Sequence, residues 1–210
     1  MENNKPNPTT HLNIFRLETL EDGVFAIAMT LLVLNLKVPS KLNDSLVRAV
    51  LQIWPNLVTF FGSFLLLGVF WLGHRTALSY IKHADHIYHW LNLILLMFVS
   101  VLPFSASLIA KYYYERAAVI IYGLNLILIG AVMFLQWMYA AKNFRLLDKE
   151  LSPSIIRYAK IRTGFAPAAY FCAIILSFID IKISLIFYTV VPLLYILPFC
   201  LPVWRYFAKI

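Results

Sequence analysis

An all-α membrane protein of six transmembrane helices, with both termini cytoplasmic, is the architecture expected of this chain. Three observations lead to it. Of 210 residues, 61% are hydrophobic and only 13% are charged, and the mean hydropathy is +0.77. So little charge cannot cover a water-soluble domain, and the bilayer must serve as solvent for most of the chain. Second, the uncharged runs 49–73, 87–110, 117–141 and 183–204 each reach the roughly 20 apolar residues that a helix needs to cross the hydrocarbon core. Third, the 18 Lys and Arg divide unevenly between the two sides. With both termini inside, Lys5, Arg16, Arg75, Lys82, the six between Lys142 and Arg162, Arg205 and Lys209 are cytoplasmic, and only Lys37, Lys41, Arg48, Lys111, Arg116 and Lys182 lie outside. That two-to-one bias is the positive-inside pattern.

Each span can then be placed in order. Residues 1–15 form a polar cytoplasmic tail without the apolar core of a signal peptide. Residues 16–210 form a single six-helix domain. Its first span is the least typical, because only 14 residues, 23–36, separate Asp22 from Lys37. Extended to 17–38 it can cross if neighbouring helices shelter its charges. Pro39 closes it, and Asn43 or Asp44 caps the second span, which carries Pro55 near its start. Residues 74–89 make a polar inner loop or extend the adjoining helices. The third span meets Pro103, where a kink or stop is expected. A long polar stretch, 142–162, precedes a shorter fifth run at 163–179, and Pro192, Pro198 and Pro202 make the sixth span irregular.

The net charge of +8 is absorbed by this topology, so anionic lipid rather than nucleic acid is its expected partner. Cys172 and Cys200 both fall inside spans and read as buried free thiols. His83, His86 and His89 do not share one helical face, so they make a poor metal site, and no bound metal or cofactor is expected. No glycine-rich carbonyl filter is present, and one six-helix unit has no obvious central hole. A pore therefore needs several copies of the chain around an axis.

On the first span, helical spacing puts Ile27, Thr30, Leu31 and Leu34 on one face, with Gly23, Leu20 and Arg16 extending the stripe. An ordinary packing stripe would look the same. The segment also resembles the signature of the transmembrane protein 175 family of potassium channels. Arg16, Asp22 and 23–34 follow that pattern almost residue for residue, while Leu20 replaces a Phe and Glu21 a Ser. Two further stretches are similar to the family's second and third helices, namely Phe70-Trp71-Leu72-Gly73-His74-Arg75 and 90–105, with Asn92 and the Leu-Pro-Phe exit.

The resemblance implies a prokaryotic plasma-membrane potassium channel built as a homotetramer, not an enzyme, with the first helix of each of four subunits lining the pore. Carried over by position, Ile27 is the main constriction, Leu31 and Leu34 form further apolar rings, and Thr30 adds a hydroxyl layer that K⁺ meets transiently. A narrow apolar ring opposes ions by dewetting, and a few hydroxyl oxygens favour the more easily dehydrated K⁺ to a moderate degree. Arg16, Asp22, Trp71 and His74 are implied to form a network that fixes the first helix against the second. The alternative reading is a proton-coupled or secondary transporter, which would place ionisable groups at mid-membrane. The uncharged runs hold no Asp or Glu.

Overall fold

A computed structural model describes residues 14–37 and 53–196. Pro39, Asn43, Asp44, most of the N-terminal tail and residues 197–210, with Pro198, Cys200, Pro202 and Trp204, lie outside them. Among the described residues each apolar run contributes a helix, and six α-helices follow in order: α1 Ile14–Leu31, α2 Trp54–Leu78, α3 His86–Lys111, α4 Arg116–Ala141, α5 Pro153–Leu176 and α6 Ile181–Ile196. No strand is formed among the described residues, only an isolated antiparallel bridge between Ile81 and Leu147.

The ends of the helices follow from local chemistry. Pro55 and Pro153 sit in the first turns of α2 and α5, where a missing N–H leaves no helical bond unmade. Asp85 caps α3, its carboxylate accepting from the Tyr88 N–H at 2.9 Å. Burial pushes that carboxyl up, but hydrogen bonds from Tyr139 and the Tyr88 N–H, with Arg145 and His83 nearby, hold it below the usual carboxylate range. α1 tightens into a 3₁₀ turn at Leu32–Asn35.

Two expectations are corrected. Pro103 does not stop the third span, since α3 continues to Lys111. Proline removes one N–H, and the helix on either side carries enough packing to bridge the loss. Cys172 is a free thiol but exposed on α5 rather than buried; the polar stretch 142–162 does divide at Ser152-Pro153, where α5 begins.

α2 to α5 are long and apolar enough to cross a membrane. α1 carries Arg16, Glu18, Glu21 and Asp22, and α6 is described over only 16 residues. α4 lies at the centre, packed chiefly between α3 and α5. Two glycines permit this closeness. A Cβ on Gly130 would meet Pro167 of α5 at 2.9 Å, and one on Gly123 would meet Ile174 at 2.7 Å and collide with the Tyr188 hydroxyl of α6. Among the described residues α1 packs chiefly against α3 and α2.

The main core joins all six helices. A second cluster, with Leu17, Leu78, Ile81, Tyr88, Trp137 and Leu147, seals the end that carries the loops 79–85 and 142–152. There Lys82 pairs with Asp148 at 2.7 Å and the Lys82 N–H donates to the Leu146 carbonyl at 3.0 Å.

Candidate functional site: the two faces of the first helix

The helical period separates α1 into two faces. Leu17, Glu21, Phe25, Ala28 and Leu32 recur at intervals of three and four and turn inward. Phe25, Ala28 and Leu32 are 1%, 2% and 0% exposed and join a core with Leu66, Leu67 and Phe70 of α2 and Leu95 and Val99 of α3. Ile27, Leu31 and Leu34 are instead 60%, 42% and 66% exposed. Thr30 lies among them, and its Oγ1 donates to the Ile27 carbonyl at 2.9 Å, which leaves the oxygen lone pairs free to accept. Leu34 belongs to the 3₁₀ turn, where residues three apart eclipse, so it stays in line with Leu31. The four residues singled out by spacing therefore share one open face, together with Gly23 and Ala26.

At the base of α1 the two adjacent carboxylates take different partners. Asp22 Oδ1 accepts from Trp71 Nε1 at 2.7 Å. His74, which the sequence joins to Asp22, binds Glu21 instead, with 2.8 Å between Nδ1 and Oε2. The reason is rotational: Glu21 lies on the buried stripe, whereas Asp22 is turned a further 100° to the outside, where only the indole reaches it. On the far side of the imidazole, Nε2 lies 3.0 Å from Gln136 Oε1, and Gln136 Nε2 reaches Asn92 Oδ1 at 3.4 Å. Glu21, His74, Gln136 and Asn92 are all buried. Arg16 is exposed in the first turn of α1 and takes no part.

This chain of side chains has a definite proton count. With Gln136 presenting its oxygen, Nε2 must carry hydrogen, so the contact between Nδ1 and Oε2 needs one further proton. Placed on the imidazole it makes an ion pair, and placed on the carboxyl it makes a neutral bond, so the pair is net neutral either way. Glu21 Oε1 has no hydrogen-bond partner. The network ties α1 to α2, α4 and α3 at one level of the bundle.

Glu21 and Gln136 were not legible as site residues from the family pattern, yet each left a signal. Glu21 falls in register with Leu17, Phe25, Ala28 and Leu32, a spacing that places it inside. Gln136 is an amide within an apolar run, where it must find a partner. His86 and His89 are engaged separately: His86 Nε2 accepts from Trp90 Nε1 at 2.9 Å, and His89 Nδ1 lies 2.9 Å from the Asp85 carbonyl. Among the described residues no group of three potential ligands could hold a metal ion.

Comparison with known proteins identifies the family. The family model for the endosomal/lysosomal potassium channel TMEM175 matches residues 16–103. A potassium channel of Chamaesiphon minutus is 35% identical over 175 residues, which covers 80% of this chain and 86% of that protein. The chain belongs to the TMEM175 family. The matched segment contains α1, α2 and most of α3, which are the helices that build both faces of α1. The crystal structure of a lysosomal potassium-selective channel TMEM175 homolog from Chamaesiphon minutus superimposes with a TM-score of 0.78 at 32% identity, covering 86% of this chain and 94% of that one. The endosomal/lysosomal proton channel TMEM175 of Gallus gallus is 32% identical over 106 residues, which is 46% of this chain but only 21% of that longer protein. Membership makes the chain a membrane channel protein rather than an enzyme.

Proposed function

We propose that this protein is a moderately potassium-selective channel of a prokaryotic plasma membrane. Four copies surround an axis, and α1 of each lines the pore. Both termini face the cytoplasm, and residues 16–210 act as one channel domain behind a short polar tail. Ile27 forms the narrowest ring, Leu31 and Leu34 extend the apolar barrier, and Thr30 contributes four hydroxyl oxygens beside it. The observation that carries this reading is the open face of α1, which holds Gly23, Ala26, Ile27, Thr30, Leu31 and Leu34 while the opposite face is sealed. Small residues on that face let copies of α1 approach one another, and the bulky ones then meet at the axis.

Such rings impose a dewetting barrier that falls when the helices tilt or part. The anchors at Trp71 and His74 set that tilt, because they hold the base of α1 through adjacent residues on its two sides. Thr30, its hydrogen already donated within the helix, offers an acceptor that replaces part of an ion's hydration shell. One such layer selects less strictly than a stack of carbonyl rings.

The test is K⁺ flux into liposomes that contain the purified full-length protein, with Na⁺ and H⁺ gradients as comparison. K⁺ flux above Na⁺ flux, raised several-fold by Ile27→Asn, is expected, because an amide ring holds water where isoleucine excludes it. Unchanged or lower flux through a well-folded Ile27→Asn protein removes the gate from α1. A proton flux exceeding that of K⁺ would make the pore a proton pathway instead.

A further inference from the structure

Away from α1, a cavity of about 320 Å³ opens between α2, α4, α5 and the last turn of α6. Protein interiors pack with few voids larger than a water molecule, and this one lies in the range of ligand pockets, about 300–1,000 Å³. Its floor is apolar and buried, with Leu66 and Phe70 of α2, Trp137 of α4 and Tyr170 of α5. Water in such a space would find few partners, whereas hydrocarbon would fit.

The rim is different. Tyr158 and Arg162 of α5, both only partly buried, line it. α5 carries Arg157, Lys160 and Arg162 and no Asp or Glu along its length. Arg162 stands 5.8 Å from the Tyr195 ring centre. Among the described residues no carboxylate pairs with its guanidinium, and the Tyr158 hydroxyl makes no hydrogen bond. Among the described residues, a guanidinium that lies over the Tyr195 ring but meets no carboxylate, and a phenol without a hydrogen bond, thus flank an apolar slot in a membrane-embedded bundle. Basic pockets between membrane helices recognise anionic headgroups, and arginine matches phosphate geometry well.

We propose that this cavity is a site for an anionic phospholipid, with one acyl chain in the slot and the headgroup phosphate on Arg162, supported by Tyr158. The site shares no residue with the open face of α1, so it stands whether or not that face lines a pore. It does touch the anchoring system: Gly73 lines the cavity next to His74, and Trp137 follows Gln136. An occupied slot braces α2 against α5 at the level where α2 holds α1.

Native mass spectrometry of the full-length protein with phosphatidylglycerol and phosphatidylcholine of matched chains tests the site. One phosphatidylglycerol retained per chain is expected, in preference to phosphatidylcholine by about fivefold. Arg162→Gln should bring the two lipids to parity while binding persists, and Ala159→Trp, which fills the slot, should abolish retention of both. Thr163→Phe serves the same purpose if Ala159→Trp does not fold. No retained lipid, equal retention of both lipids by the unaltered chain, a preference that survives Arg162→Gln, or retention that survives the filled slot each overturns the proposal.

Discussion

The two faces of α1 use the same eighteen-residue helix for opposite ends. The inner face spends its bulk on α2 and α3 and holds a carboxylate bonded through one oxygen to an imidazole, which an amide supports from its far side. The outer face leaves Ile27, Leu31 and Leu34 largely exposed. If the exposed face lines a pore as proposed, fold and transport are separable on this helix. Substitutions that lower stability should cluster at Phe25 and Glu21, and those that alter ion flow at Ile27 and Thr30.

The largest expected effect on stability is at Phe25. Its ring is almost wholly buried among Leu66, Leu67 and Leu95. In a bilayer the alternative to burial is lipid rather than water, so the loss is mainly of packing and of the space left behind. Phe25→Ala should lower stability by about 3 kcal/mol, read as a fall in the thermal unfolding midpoint of the detergent-solubilised protein. Ile27→Ala, a comparable truncation two residues away, should not move the monomer's own unfolding by more than about 0.5 kcal/mol. Equal losses at both positions would erase the distinction between the faces.

Much of this division was legible in the sequence. The spacing of Ile27, Thr30, Leu31 and Leu34 marked one stripe, and its complement through Leu17, Phe25, Ala28 and Leu32 is the stripe that packs. Periodicity alone assigns the stripes but not which of them faces inward, because both are apolar. The resemblance to a known signature decided that. The polar network was read only in part: Trp71 does bind Asp22, but His74 binds Glu21. A motif compares residue types at aligned positions, whereas partner choice depends on rotation about the helix axis, and one residue of displacement turns a side chain by 100°. Gln136 comes from α4, beyond the segment that the motif covers. The cavity beside α5 left no trace in the sequence, since a void is set by how helices cross and not by any one helix.

The next effect in size concerns the pair at the base of α1. Glu21→Ala leaves Nδ1 of His74 without a partner in a buried site, which costs about 1–3 kcal/mol. Glu21→Gln keeps the reach and offers Nδ1 an amide N–H donor in place of the shared proton, while removing any charge. Because Oε1 already lacks a partner, little is lost with it, and Glu21→Gln should be as stable as the unaltered chain or more so. Thermal unfolding of the two variants side by side decides whether shape or charge holds α1 to α2. A glutamine variant as weak as the alanine variant would mean that the proton shared by Glu21 and His74 is itself structural.

The smallest expected change in stability, and the sharpest test of the outer face, is Thr30→Val. Valine keeps the branched shape and removes only the hydroxyl, whose single bond runs to the Ile27 carbonyl in the same helix. That carbonyl is an ordinary helical acceptor, so stability should change by less than about 0.5 kcal/mol. What disappears is the acceptor facing outward. If four such oxygens stand beside a closed apolar ring, their loss should reduce the K⁺ to Na⁺ permeability ratio in bilayer recordings while leaving the conductance nearly unchanged. A ratio that holds steady would place discrimination elsewhere, and the apolar rings would then have to select by the cost of dehydration alone.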